Sequence, residues 1–153
     1  MNTWRHALTA FGVLLVTHAL TVWTLPRVIM WRVMSVASAE TNPAGTFLPP
    51  PTDHTARRIV MPSPDLLYAT CSLSLRDGPI RVSFDGHYPR YWSIALYAAN
   101  SDNFFVAGDR NNADQPVRWL VSTPSQNATA SSPAAERQIT APSDRVFLLM
   151  RLL

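Results

Sequence analysis

A chain of 153 residues with thirteen arginines, no lysine and a single cysteine excludes several chemistries before any motif is sought. Without lysine there is no Schiff-base centre, no phosphate-loop lysine and no Ser-x-x-Lys acylation site, and Cys71 alone cannot form an intrachain disulfide, a thiolate zinc site or an iron-sulfur cluster. The formal charge of +3 is spread along the chain, with only Arg57 and Arg58 adjacent, so the clustered cationic face that nucleic acid requires is missing.

The first element is an uncharged run from Ala7 to Leu25 (ALTAFGVLLVTHALTVWTL), long enough for a helix to cross a bilayer core. Trp4 and Trp23 stand about 28 Å apart at the helical rise, the spacing of an aromatic belt at both interfaces. A buried core helix would carry a polar stripe; here polarity is limited to threonines that can bond back to the backbone, and to His18. A histidine at that depth can mark a proton path, although one bonded to a neighbouring helix or merely tolerated is the plainer reading. Pro26 is expected to end or kink the helix.

Ala37, Ser38 and Ala39 form an A-x-A sequence of the kind that follows a signal peptide, but the apolar run exceeds a signal core and Val28–Val36 intervenes. A spanning anchor is therefore the stronger reading, with RVIMWRVMSV as a short interfacial helix. One arginine, Arg5, precedes the span and two, Arg27 and Arg32, follow it. A literal positive-inside count leaves the following domain in the cytoplasm. The very short amino terminus, with its free amine and His6, and a lysine-free domain rich in proline and hydroxyls favour the outside. The expected arrangement is an anchor at 1–27, an interfacial segment and proline-rich linker at 28–58, and a β-rich domain at 59–153, single-pass in a bacterial inner membrane with the domain in the periplasm. The linker (ETNPAGTFLPPPTD) has no period and reads as an extended spacer holding the domain off the membrane.

Beyond it the pattern becomes short alternating runs. Leu67–Leu75, Ile80–Phe84 and Tyr91–Tyr97 read as strands, the last with Trp92, Ile94 and Leu96 on one face. Turn chemistry stands between them at Arg76–Pro79 and Asp85–Pro89. Phe104–Ala107, Val117–Thr123 and Val146–Leu153 supply three more. The spacing is that of a meander or an antiparallel sandwich or jelly roll. Ser122–Pro142 reads as a low-complexity loop unable to join a core; it carries a glycosylation acceptor pattern at Asn127–Thr129 that is common by chance. Cys71, within the first strand, is expected to be a small buried hydrophobe.

Taken in order, Asp65, Leu67 and Tyr68, Gly78-Pro79, Tyr91-Trp92-Ser93 leading to Tyr97, Asn103-Phe104 and Gly108 to Arg110 resemble the bacterial domain of unknown function 1254, over about ninety residues from Met61 onward. Ser63 and Leu66 depart from the asparagine and threonine found there in that family, and the relatives commonly run on past the last strand. The resemblance implies a β-sandwich-like fold and, in short single-domain members, an amino-terminal membrane helix. It implies no reaction, because the family has none assigned, and the domain often occurs beside a second one, domain of unknown function 1214.

Candidate chemistry is sparse. His54 and His87 lack further ligands at metal spacing, and no nucleophile elbow or glycine-rich phosphate loop exists; neither metal nor cofactor is expected. The best cluster is Asp85, His87, Tyr88, Arg90 and Tyr91 in and after one turn, joined by Asp65 and Tyr68 if the first and third strands are neighbours, and by Arg110. Asp65, Tyr68, His87, Tyr91 and Arg110 are thus candidate ligand-binding residues, and a carboxylate beside a histidine permits acid-base work. Turn formers and solvated surface are the commoner role of such groups. The favoured reading is a non-enzymatic accessory protein docking an envelope partner, one carrying the companion domain, through a sheet edge or an aromatic face at Tyr88, Tyr91 and Trp92.

Overall fold

The computed structural model describes residues 3–40, 47–50, 62–85, 87–112, 115–126 and 136–153. His54, Arg57, Arg58, the expected domain start at Ile59 and the Asn127–Thr129 pattern lie outside these residues. One helix, α1 (Thr3–Glu40), precedes seven strands: β1 (Leu67–Ser74), β2 (Ile80–Phe84), β3 (Trp92–Ala98), β4 (Asn103–Gly108), β5 (Val117–Ser122), β6 (Arg137–Thr140) and β7 (Arg145–Leu152).

The strands form two sheets, ordered β1-β7-β3-β4 and β2-β5-β6, antiparallel throughout except for β5 beside β6. The domain is mainly β, as the alternating runs predict. It is not a meander: of the sequence-consecutive strands only β3 with β4 and β5 with β6 are ladder neighbours, and the second pair is parallel. Alternation decides what faces inward. Leu73, Trp92, Ile94, Leu96 and Val146 from the larger sheet meet Val117, Trp119 and Val121 from the smaller. Two edge-to-face ring pairs tie the layers, Phe84 with Trp92 at 5.1 Å and Phe105 with Trp119 at 4.9 Å.

Three expectations need correction. Of the two outcomes expected at Pro26, an end is the one overturned: α1 runs through it to Glu40. The proline lacks the N–H that would bond the carbonyl one turn back, and contacts from outside the ladder hold the next turns in place. The Arg27 side chain donates to the Trp23 carbonyl, and the Ser101 hydroxyl donates to the Pro26 carbonyl at 2.9 Å. Nor is Val28–Val36 a separate helix: it continues α1. Met30, Val33, Met34 and Ala37 recur at helical spacing and pack on Tyr97, Phe147 and Leu149, the outward residues of β3 and β7. Within the proline-rich segment, Phe47 pairs with Thr70 of β1 through two backbone bonds of 2.8 and 2.9 Å.

The third correction concerns Ser122–Pro142. Its end forms β6, with Ile139 and Ala141 in the core, and Arg137 lies over the Phe105 ring at 4.8 Å. A four-residue strand with one large apolar side chain is set by its neighbour β5 rather than by its own pattern.

Gly108 marks the closest backbone approach. A Cβ there would lie 2.9 Å from the Trp92 carbonyl oxygen, which already accepts the Asp109 N–H at 3.2 Å and cannot move without breaking that bond. Gly108→Ala is expected to cost about 1–3 kcal/mol, read as a lower urea midpoint at unchanged slope.

Candidate functional site

Strand register brings the candidate residues to one end of the sandwich. Tyr68 of β1 and Ser93 of β3 both sit opposite Arg151 of β7, and Ser93 is in turn opposite Gly108 of β4. β1 and β3 are thus not neighbours; β7 runs between them and sets Tyr68 and Ser93 about 10 Å apart. Asp65 precedes this row on the Ser63–Leu66 turn, Tyr91 enters it, Arg110 follows it, and His87 lies on the nearby β2–β3 connection.

The side chains at this end are mostly committed to one another or to solvent. The Tyr68 hydroxyl accepts the Ser63 N–H at 3.0 Å, the Tyr91 hydroxyl donates to Ser93 at 2.9 Å, and Tyr88 donates to the Leu153 carbonyl at 2.6 Å. His87 meets Asp85 at 3.5 Å, but these side chains are 66% and 89% exposed, the surface turn pair of the plainer reading. Asp65 and Arg110 are exposed. Trp92 is 1% exposed, so the expected aromatic face loses its largest member to the core; strand alternation turns Trp92 inward when Tyr91 faces out. Arg151, which the sequence reading omitted, is the cation nearest Tyr68 and Ser93 in register; the alternation Phe147, Leu149, Arg151 was the available signal.

Among the described residues no group of three His, Cys, Asp or Glu side chains is close enough to hold a metal. Cys71 is half-buried and packs against the core, and burial pushes its thiol above the ordinary range, as suits a small hydrophobe rather than a nucleophile.

The opposite end is knitted more tightly. Leu75 N–H bonds the Asp144 carbonyl, and Ala99 N–H bonds the Ser143 hydroxyl, which itself donates to the Arg145 carbonyl. Ser101, in the β3–β4 turn, takes a left-handed φ of 76°, unusual for a residue with a Cβ, and reaches Pro26 as described. A cavity of about 460 Å³ opens here between helix and sheet, lined by Arg27, Trp31 and Met34 on one side and by the β3–β4 and β6–β7 turns on the other. It shares no residue with the candidate cluster.

At this end Arg76 donates to the Asp144 carboxylate at 2.7 Å, and that hydrogen bond holds the Asp144 carboxyl below its ordinary range. A carboxyl whose folded pKa lies below its unfolded one, about 3.9 for aspartate, stabilises the fold above that pH and loses the contribution as pH falls through the folded value. Asp144→Asn is expected to lower stability slightly at neutral pH and not at all well below about pH 4, a small effect because both partners are exposed. Denaturant midpoints across pH check it.

Two stacked, mostly antiparallel sheets preceded by an apolar helix define a mainly β domain. The chain belongs to the family described as protein of unknown function (DUF1254), whose model matches residues 44–153. The crystal structure of the VPA0106 protein from Vibrio parahaemolyticus is similar in fold, with a TM-score of 0.60 at 16% identity over 82% of this chain and 29% of that one. An uncharacterised protein from Burkholderia cenocepacia is 18% identical, with a TM-score of 0.48, over 69% of this chain and 31% of its own. This chain therefore spans less than a third of either protein. No curated protein matches it.

Proposed function

We propose that the protein is a single-pass, membrane-anchored module of the bacterial envelope whose β-domain docks another protein rather than catalysing a reaction. The observation that carries the anchor is the division of α1. Thr3–Ala39 is long and apolar enough to cross a membrane, its first twenty described residues are exposed all round, and its second half is seated on β3 and β7. A soluble fold does not leave Leu8, Phe11, Leu14, Leu15, Val22 and Trp23 in water. Thr9, Thr21 and Thr24 bond back to Arg5, Thr17 and Leu20, which satisfies their hydroxyls in lipid. The seating of Ala37 against Phe147 inside a helix also favours an anchor over a cleaved signal, since Ala37–Ala39 is not extended.

The docking surface of this reading is the outer edge of β4, which ends the larger sheet and exposes Val106; open edges recruit strands. A protein carrying domain of unknown function 1214 is the partner proposed, with the domain on the periplasmic side. The test is a carboxyl-terminal reporter active only outside the cytoplasm, assayed in alkali-washed membranes. Activity there supports an external anchored domain, whereas an inactive, membrane-bound fusion reverses the orientation. Co-purification that repeatedly returns no partner refutes the docking role.

A second reading, a small-molecule binder or enzyme using the Asp65, Tyr68, His87 and Arg110 region, draws on the gathering of these residues at one end with Arg151. His87→Ala and Arg110→Ala variants that fold and fully complement a deletion strain eliminate it.

A further inference from the structure

The cavity between α1 and the two sheet turns lies where the membrane surface falls if α1 spans the bilayer, and it presents cations there. At the helical rise Arg27 is about 6 Å beyond Trp23 and Trp31 about 12 Å beyond it. The headgroup layer occupies about 5–8 Å on each side of the hydrocarbon, so Arg27 stands within it and Trp31 just outside it. The exposed apolar surface of the helix does not stop at Pro26: Val28, Ile29 and Trp31 are 58%, 49% and 58% exposed. The lipid-facing side of α1 thus continues to the mouth of the cavity.

Its walls have a defined chemistry. Trp31 and Met34 of the helix are apolar, and two arginines line the cavity as well, Arg27 from the helix and Arg145 from β7. Among the described residues neither arginine has an acidic partner within ion-pair distance. Arg27 uses one N–H on the Trp23 carbonyl and lies 4.3 Å over the Trp23 ring, which fixes its guanidinium at the rim while leaving it other donors. The facing turns are held by their own hydrogen bonds: Ser143 joins Ala99 to Arg145, and Asn100 is bonded to Asp102. A cavity of this size suits a small ligand, and two guanidinium groups suit a phosphate.

We infer that this cavity binds the phosphodiester headgroup of an anionic phospholipid, with Arg27 and Arg145 on the phosphate. The inference rests on the membrane-anchor reading. A bound lipid would fasten the base of the β-domain to the bilayer beside the helix and fix its tilt.

The test uses the full chain in detergent micelles, titrated with phosphatidylglycerol or phosphatidylcholine and read by native mass spectrometry, with inorganic phosphate as competitor. Phosphatidylglycerol is expected to be retained over phosphatidylcholine. Arg145→Gln should weaken that retention about tenfold and Arg145→Lys less, with the thermal transition of the β-domain unchanged. Equal retention of the two lipids, or undiminished phosphatidylglycerol binding by Arg145→Gln, overturns the inference. Displacement of the lipid by inorganic phosphate at equal concentration replaces the lipid site with a simple anion site. Failure of the anchor itself is seen separately, as release of the wild-type chain from membranes by alkali.

Discussion

Replacing Trp92 by alanine is expected to remove about 3–5 kcal/mol from the stability of the β-domain, out of the 5–15 kcal/mol typical of a native domain. Trp92 is almost completely buried at the start of β3, and its ring meets Phe84 of the other sheet edge-on. Alanine would leave a void between the layers and cut one of the two aromatic ties that hold them together. Tyr91, next in sequence, is 37% exposed, and its hydroxyl is bonded only to Ser93. Tyr91→Ala is accordingly expected to cost about 1 kcal/mol. Urea titration of the full chain in detergent, followed by protease resistance of the β-domain, separates the two. Equal losses would mean that β3 does not turn its faces as described.

Met34→Asp is expected to free the second half of α1 from the sheet while leaving the sandwich folded. Met34 is 1% exposed in a cluster of Met30, Ala37, Val33, Tyr97, Phe147 and Leu149, none of which can neutralise a carboxylate. Even with Arg27 and Arg145 lining the same cavity, the desolvation of a carboxylate buried in this apolar cluster costs more than this small contact can supply, so the helix lifts off instead. Hydrogen exchange should then become fast around residues 30–39 and stay slow in β3 and β7. Met34→Leu, similar in volume, should cost less than about 1.5 kcal/mol and keep the helix seated. Unaltered exchange in Met34→Asp would refute the docking of helix on sheet.

Six of the seven strands could be read from the chain because each faces the core on one side and announces it by alternation, as Trp92, Ile94 and Leu96 do. β6 could not, since Ile139 is its one large apolar residue and parallel pairing with β5 is a tertiary choice. The seating of α1 was written at Met30, Val33, Met34 and Ala37 but obscured, because the opposite side of the helix, at Val28, Ile29 and Trp31, is equally apolar. A moment-based reading needs contrast between faces, and here both sides are apolar although only one is buried, on the sheet. Family membership rested on the order of many weak matches and came through intact. The candidate cluster was legible residue by residue. Its gathering at one end depends on strand order, which no local pattern encodes, and the cavity at the other end joins helix to turns that are distant in sequence.

The place of β7 between β1 and β3 governs the timing of assembly. As the chain leaves the ribosome, β1 and β3 emerge early, each destined for the same missing neighbour, and the larger sheet cannot close until Arg145–Leu152 arrives. Contacts this distant in sequence make for slow folding. In the interval two apolar strands wait with open backbone edges, the state most exposed to wrong pairing between chains. Under the anchor reading, early tethering of α1 to a bilayer would hold nascent copies apart in two dimensions during that delay, so that the helix would aid folding as well.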